Sequence, residues 1–211
     1  MPLPEPFAYP TTFHFPTHGP AGYSDYRAYK PWLRDDFAFR CVYCLTRERW
    51  DASPSGHASF GADHVEAQST APTLITNYRN LVYACNSCNS AKRNRRLGID
   101  PRTDAMARLL GVDAEGIVHA LAPQAELMIE VFDLNEPGRI SLRLEKLAIL
   151  RSKQSHPDDA NIDHLFRRAF GYPDDLPDLS ALRPPGGNAV TGSELLSHYA
   201  RRVNGELGDV Y

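Results

Sequence analysis

Apolar positions along this chain fall into several short patterns, without one sustained period and without an internal repeat. The clearest helical stripe is Ile140, Leu144, Leu147 and Leu150, which follows Pro137 and predicts a helix to about Lys153. Asn161 to Phe170 predicts another helix, and Ser193 to Leu207 a last amphipathic one. Ala125 to Leu134 is apolar enough for a packed helix, although Leu127, Ile129 and Val131 also alternate as in a strand. Shorter helices are expected over Tyr23 to Asp36, with Pro31 near a first helical position, and over Thr103 to Leu110. Strand signals are brief: Phe37 to Arg40, Phe60 to Val65, Leu81 to Ala84 and Gly116 to Ala120. A helix from Asn86 to about Arg96, stopped near Gly98, follows the third of these. Between the elements lie a proline-rich arm over residues 1–22, a polar loop over 45–59 holding Ser53-Pro54-Ser55-Gly56, and an irregular loop over 66–76. Residues 171–188, with Pro173, Pro177, Pro184, Pro185 and Gly186-Gly187, have the composition of a linker.

Composition narrows the class. The 211 residues are 42% hydrophobic and 23% charged, as in a globular protein rather than a disordered one. The start, Met1-Pro2-Leu3-Pro4-Glu5-Pro6, has neither the basic cap nor the apolar core of a signal peptide, and no run is apolar enough to span a membrane. A cytoplasmic location is the expectation. Net charge is −3, so a nucleic-acid surface would have to be local. Lys92-Arg93-Asn94-Arg95-Arg96 is one such basic run.

All four cysteines sit in two Cys-x-x-Cys pairs, Cys41/Cys44 and Cys85/Cys88. In a reducing compartment, paired cysteines favour metal over disulfide. Each turn offers two thiolates to one ion, and two turns complete a tetrahedron for zinc. With four sulfurs the coordination sphere is closed, so this zinc is expected to be structural. The long insert between the pairs must hold something folded.

That insert carries Asp63-His64-Val65, and Asn89 follows the last cysteine. A neutral imidazole at His64 can take a proton near pH 7. Oxygen donors from Asp63 and Asn89 suit a hard ion such as Mg²⁺ or Mn²⁺, with water and phosphate filling the remaining positions. On a regular strand Asp63 and His64 would point to opposite faces. His57 is expected at the surface, Tyr83 in the core, and Glu66 in solvent but near enough to be a spare ligand.

Asp63-His64-Val65 followed by Asn80-Leu81-Val82-Tyr83-Ala84-Cys85-x-x-Cys88-Asn89-x-x-Lys92 resembles the HNH endonuclease family, in the form that carries a cysteine-bound zinc. The resemblance covers Cys41 to Lys92, about a quarter of the chain. It implies an α+β fold, a small ββα-metal core with a zinc knuckle embedded in a mainly helical chain. It implies His64 as general base, Asp63 as a metal-binding carboxylate, Asn80 as the brace that aims the histidine, and Asn89 as a metal ligand. Lys92 matches a basic residue one turn on, and with Arg93, Arg95 and Arg96 is expected to grip phosphates. Many family members have a proline and two glycines after the Asp-His pair; here Glu66-Ala67-Gln68-Ser69 follows, so the loop should be shaped differently.

The expected organisation is an arm and short helix over 1–36, the nuclease core over 37–100, a helical region packed on it over 101–170, and a linker with terminal helix over 171–211. The resemblance implies double-stranded DNA as the substrate, contacted largely without regard to sequence. It implies a setting such as restriction or phage defence, beside an ATPase or a sensor. The helical stripes and the Pro/Gly break of the C-terminal half suggest a module for DNA placement, self-association with a second copy or a partner, or else simple buttressing of a small core. An inert zinc-stabilised nucleic-acid-binding module and an RNase on the same core are the alternatives.

Overall fold

A computed structural model describes residues 5–51 and 56–211; Ser53, Pro54 and Ser55 of the polar loop and the first four residues of the arm lie outside these. Among the described residues the fold mixes short helices with two small antiparallel sheets, the α+β class expected. Two compact units can be distinguished. One comprises residues 15–96 and 173–208; the other comprises the described residues up to His14, residues 97–172 and residues 209–211.

The first unit contains the ββα core. Strands β1 (Phe60–His64) and β2 (Leu81–Cys85) pair antiparallel, with Phe60 opposite Cys85 and His64 opposite Leu81. Helix α2 (Asn86–Lys92) leaves β2 without a loop, Cys85 being its N-cap. The helix is shorter than its sequence suggested. Arg93 adopts φ +51°, a left-handed conformation that cannot continue an α-helix, so Arg95 and Arg96 lie beyond it. Helix α1 (Lys30–Asp36), with Pro31 in its first turn as expected, packs against the sheet. It contributes Trp32 and Leu33 to a core shared with Tyr29, Tyr43, Val82 and Tyr83.

The stretch Phe37 to Arg40 is not a strand. Ala38 and Phe39 both have positive φ, and the chain turns back so that Phe39 N–H reaches the Arg34 carbonyl at 2.8 Å. The turn brings Glu48 inward, where Arg34 grips its carboxylate with two hydrogen bonds of 3.0 and 2.9 Å. The Tyr83 hydroxyl donates to the same carboxylate at 2.5 Å. The polar loop is therefore partly core, because a buried ion pair with its hydrogen bonds satisfied can sit where apolar residues otherwise would. Residues 173–208 belong to this unit as more than a linker. Asp35 accepts from the His198 backbone at 2.8 Å, and its other oxygen lies 2.9 Å from His18 Nε2. The terminal amphipathic helix is broken: a 3-10 turn over Ser193–Leu196 precedes α6 (His198–Val203). Leu195, Leu196 and Val203 are exposed.

The second unit holds the β3 (Leu110–Val112) and β4 (Val118–Ala120) hairpin and helices α3 (Glu126–Val131), α4 (Pro137–Ser155) and α5 (Ala160–Phe170). Only a 3-10 turn, Met106–Arg108, replaces the helix expected over 103–110. The apolar stripe of α4 is half realised. Leu150 is buried but Leu144 is 39% exposed, whereas Arg143 is buried. Its guanidinium donates to the carbonyls of Gly116 at 2.5 Å and Leu134 at 2.6 Å, which have turned inward at chain reversals and need donors. Among the described residues, no helix is long and apolar enough to cross a membrane.

Candidate functional site

The four cysteines come together as the spacing predicted. Their sulfurs all lie within 4.8 Å of one another, and all four residues are buried. The Cys44 and Cys85 sulfurs are 3.7 Å apart. Zinc–sulfur bonds of about 2.3 Å place tetrahedral sulfurs roughly 3.8 Å apart, so the cluster has the dimensions of a zinc site. Burial pushes the Cys41 thiol well above its usual range, and its sulfur neighbours, Cys41 first, do the same to Cys88. Cys85 is drawn down, chiefly by its hydrogen bond with Cys41. Four sulfurs so close cannot all ionise without a cation, and the donor set is the one zinc takes. The knuckle is closed by Leu45, whose N–H meets the Cys41 carbonyl at 3.0 Å with φ at +60°.

One side of the ββα unit opens into a cavity of about 410 Å³ lined by Tyr26, Asp63, His64, Gln68, Asn89 and Arg93 among others. Asp63 and His64 both reach it although they are neighbours on β1. They are the last two residues of β1, still in register with Val82 and Leu81 of β2. Asn89, one turn into α2, faces β1, its amide nitrogen 3.4 Å from the Ala62 carbonyl.

His64 is held from several sides. Its Nε2 is 2.9 Å from the Ile75 carbonyl oxygen. A carbonyl only accepts, so Nε2 carries a proton and Nδ1 is left as the acceptor nitrogen, which the Gln68 amide can meet. The Gln68 amide nitrogen lies 3.3 Å from Nδ1, and the Tyr26 ring packs edge-on with centroids 4.5 Å apart. Asn80 is buried and does not touch the cavity. Its side-chain oxygen accepts from Glu66 N–H at 2.9 Å; its amide donates to the carbonyls of Glu66 at 3.0 Å and Leu74 at 3.3 Å. These bonds clamp both ends of the loop that presents Ile75.

Asp63 is 4% exposed. Its Oδ1 accepts from Lys92 Nζ at 3.1 Å and its Oδ2 from the Tyr43 hydroxyl at 2.6 Å. Burial raises its carboxyl above the ordinary value, opposed by the Lys92 charge and by both hydrogen bonds. Each carboxylate oxygen has a second lone pair, so two accepted bonds leave room for an ion. With the Asn89 amide oxygen, the donor set is hard and oxygen-rich, which fits Mg²⁺ or Mn²⁺.

Lys92 is not at the surface. It is 3% exposed, and its ammonium is spent on Asp63 and, at 2.5 Å, on the His64 carbonyl. Arg93, Arg95 and Arg96 are exposed, Arg96 with an ion pair to Glu66 at 3.1 Å. Glu66 thus points to Arg96 and is not a lining residue of the cavity. His57 is half-buried rather than free on the surface, and pairs with Asp175 at 3.1 Å. Tyr43, Gln68 and Tyr26 were not singled out from the sequence. Tyr43 had a signal, its place between two metal-binding cysteines; Gln68 and Tyr26 had none.

No curated protein and no solved structure matches the chain. The family model described as HNH endonuclease matches residues 41–95, about a quarter of the chain. That match spans both cysteine pairs, β1, β2 and α2, so the segment that resembles an HNH endonuclease domain is the one that carries the ββα core and the cysteine cluster.

Proposed function

We propose that this chain is a metal-dependent endonuclease that hydrolyses double-stranded DNA. The observation that carries the proposal is the state of His64: Nε2 is committed to the Ile75 carbonyl, and Nδ1 is left beside the cavity that Asp63 and Asn89 share. His64 takes a proton from water at Nδ1, and the hydroxide attacks phosphorus in line with the departing 3′ oxygen. The products are 5′-phosphate and 3′-hydroxyl ends. Asp63 and Asn89 hold one Mg²⁺ or Mn²⁺, which when bound supplies Lewis acidity to the phosphate and to the leaving oxygen. Asn80 keeps the Ile75 loop in register so that the imidazole stays aimed. The Cys41, Cys44, Cys85, Cys88 cluster holds zinc and maintains the scaffold.

Arg93, which lines the cavity, and the exposed Arg95 and Arg96 that follow it supply phosphate contacts, which read charge and spacing rather than sequence. In the cell, such an activity needs restraint, which favours an effector of restriction or phage defence governed by a partner protein. Supercoiled plasmid and a labelled RNA duplex, each incubated with Mg²⁺, test the substrate. Plasmid cleavage with intact RNA is the expected result. RNA cleavage alone makes the chain an RNase, and binding without cleavage of either makes it an inert module.

A further inference from the structure

Tyr43 occupies the turn between Cys41 and Cys44, yet its hydroxyl is bonded at 2.6 Å to Asp63 Oδ2. The same turn is tied to β2, where Val42 N–H meets the Tyr83 carbonyl at 3.0 Å. The knuckle therefore bonds to both strands of the core, once through backbone and once through a phenol. Lys92 holds the other Asp63 oxygen from α2 at 3.1 Å. A carboxylate anchored at both oxygens, from two directions, keeps one orientation. Tyr43 is 2% exposed and does not line the cavity, so it cannot touch a substrate there. A phenylalanine would fill the same space; the hydroxyl adds a bond to Asp63.

We propose that Tyr43 is a positioning residue through which the zinc cluster sets the affinity of the divalent-ion site, by fixing the Asp63 carboxylate. This rests on the assignment of Asp63 and Asn89 as that ion's ligands. Partners that orient a ligating carboxylate govern metal affinity without touching the metal. The buried sulfur site thereby acts on the affinity of the oxygen site through one hydrogen bond.

The test is Mn²⁺ binding by zinc-loaded full-length protein, followed by electron paramagnetic resonance of the free ion, in wild type, Tyr43→Phe and, as a control outside the cavity, Arg183→Ala. Arg183→Ala should bind as wild type does. Tyr43→Phe should keep its zinc and bind Mn²⁺ about 10-fold more weakly or worse. The Mg²⁺ concentration for half-maximal cleavage should rise by the same factor, with the rate recovering at saturating Mg²⁺. Unchanged Mn²⁺ affinity in a zinc-replete Tyr43→Phe protein overturns the role of Tyr43 and leaves the nuclease assignment standing. Wild type that binds no Mn²⁺ removes the Asp63/Asn89 assignment and this inference with it. Should Tyr43→Phe lose zinc, 3-fluorotyrosine at position 43 replaces it. Its fluorine resonance should move with Mg²⁺ saturation, and a resonance that stays still contradicts the coupling.

Discussion

His64 Nε2 stands 2.9 Å from the carbonyl oxygen of Ile75, and that single bond decides which nitrogen of the ring is left to accept a proton. The carbonyl belongs to a loop that Asn80 clamps through three side-chain hydrogen bonds. Replacing Asn80 by alanine leaves buried backbone groups unpaired, at a cost of about 1–3 kcal/mol each where water cannot reach them. Asn80→Ala should therefore melt at lower urea concentration and cut about 10- to 100-fold more slowly, because a misaimed base loses much of its effect. Cleavage at the wild-type rate would remove Asn80 from the aiming of His64.

Zinc should be inseparable from folding in the first unit. The sulfurs of the cluster lie within 4.8 Å of one another and have no disulfide to hold them. A Cys44→Ser protein, or wild type stripped by a strong chelator, should lose zinc and the cooperative unfolding of this unit together. A zinc-free protein that unfolds at the wild-type midpoint would show that the cluster is not a structural metal site.

Lysine and arginine of one basic run should behave as different classes. Lys92 is buried against Asp63, so Lys92→Met should cost about 3–5 kcal/mol by leaving a buried carboxylate uncompensated. Arg95→Ala should change stability by less than about 0.5 kcal/mol, since its side chain is exposed. It should instead weaken DNA binding and reduce the salt slope by about 1 for the lost phosphate contact. Equal salt slopes for wild type and Arg95→Ala would place the DNA elsewhere.

Acidity should act through Asp36. Burial pushes its carboxyl up to about 6, against the pull of nearby His18 and of hydrogen bonds from Tyr78 and Thr17. A carboxyl raised in the folded state stabilises while protonated. Its contribution is complete below about pH 4, the ordinary carboxyl value, and is lost as pH rises through about 6. Asp36→Asn should thus gain stability relative to wild type between about pH 4 and pH 6, with a constant difference above that, in chemical denaturation. A constant difference across that window would mean that Asp36 does not titrate there.

The site was more legible in the chain than its surroundings. Cysteine pairs, an Asp-His on a strand and an asparagine one turn into the next helix are local spacings, and local geometry carries them into place. Lys92 shows the limit. Its position was legible, but a lysine reads as a surface charge until the partner that pairs with it, Asp63 on another element, is known. Phe37 to Arg40 failed for a related reason. Its apolar pattern suits a strand, and only tertiary packing, with Phe39 fully buried beyond α1, makes two left-handed residues tolerable. In the second unit, Arg143 sits inside because two inward carbonyls need donors, which no periodicity announces. The break before His198 follows Ser197, whose side chain caps α6 at Ala200 N–H, an N-cap signal that the amphipathic pattern overrode.

The most direct test of the central claim is plasmid cleavage in Mg²⁺ by zinc-loaded wild type and His64→Ala, with fold and zinc content measured on both. The proposal predicts that His64→Ala keeps its zinc and its melting transition, and loses at least about 100-fold in rate. His64→Ala cutting as fast as wild type would contradict it.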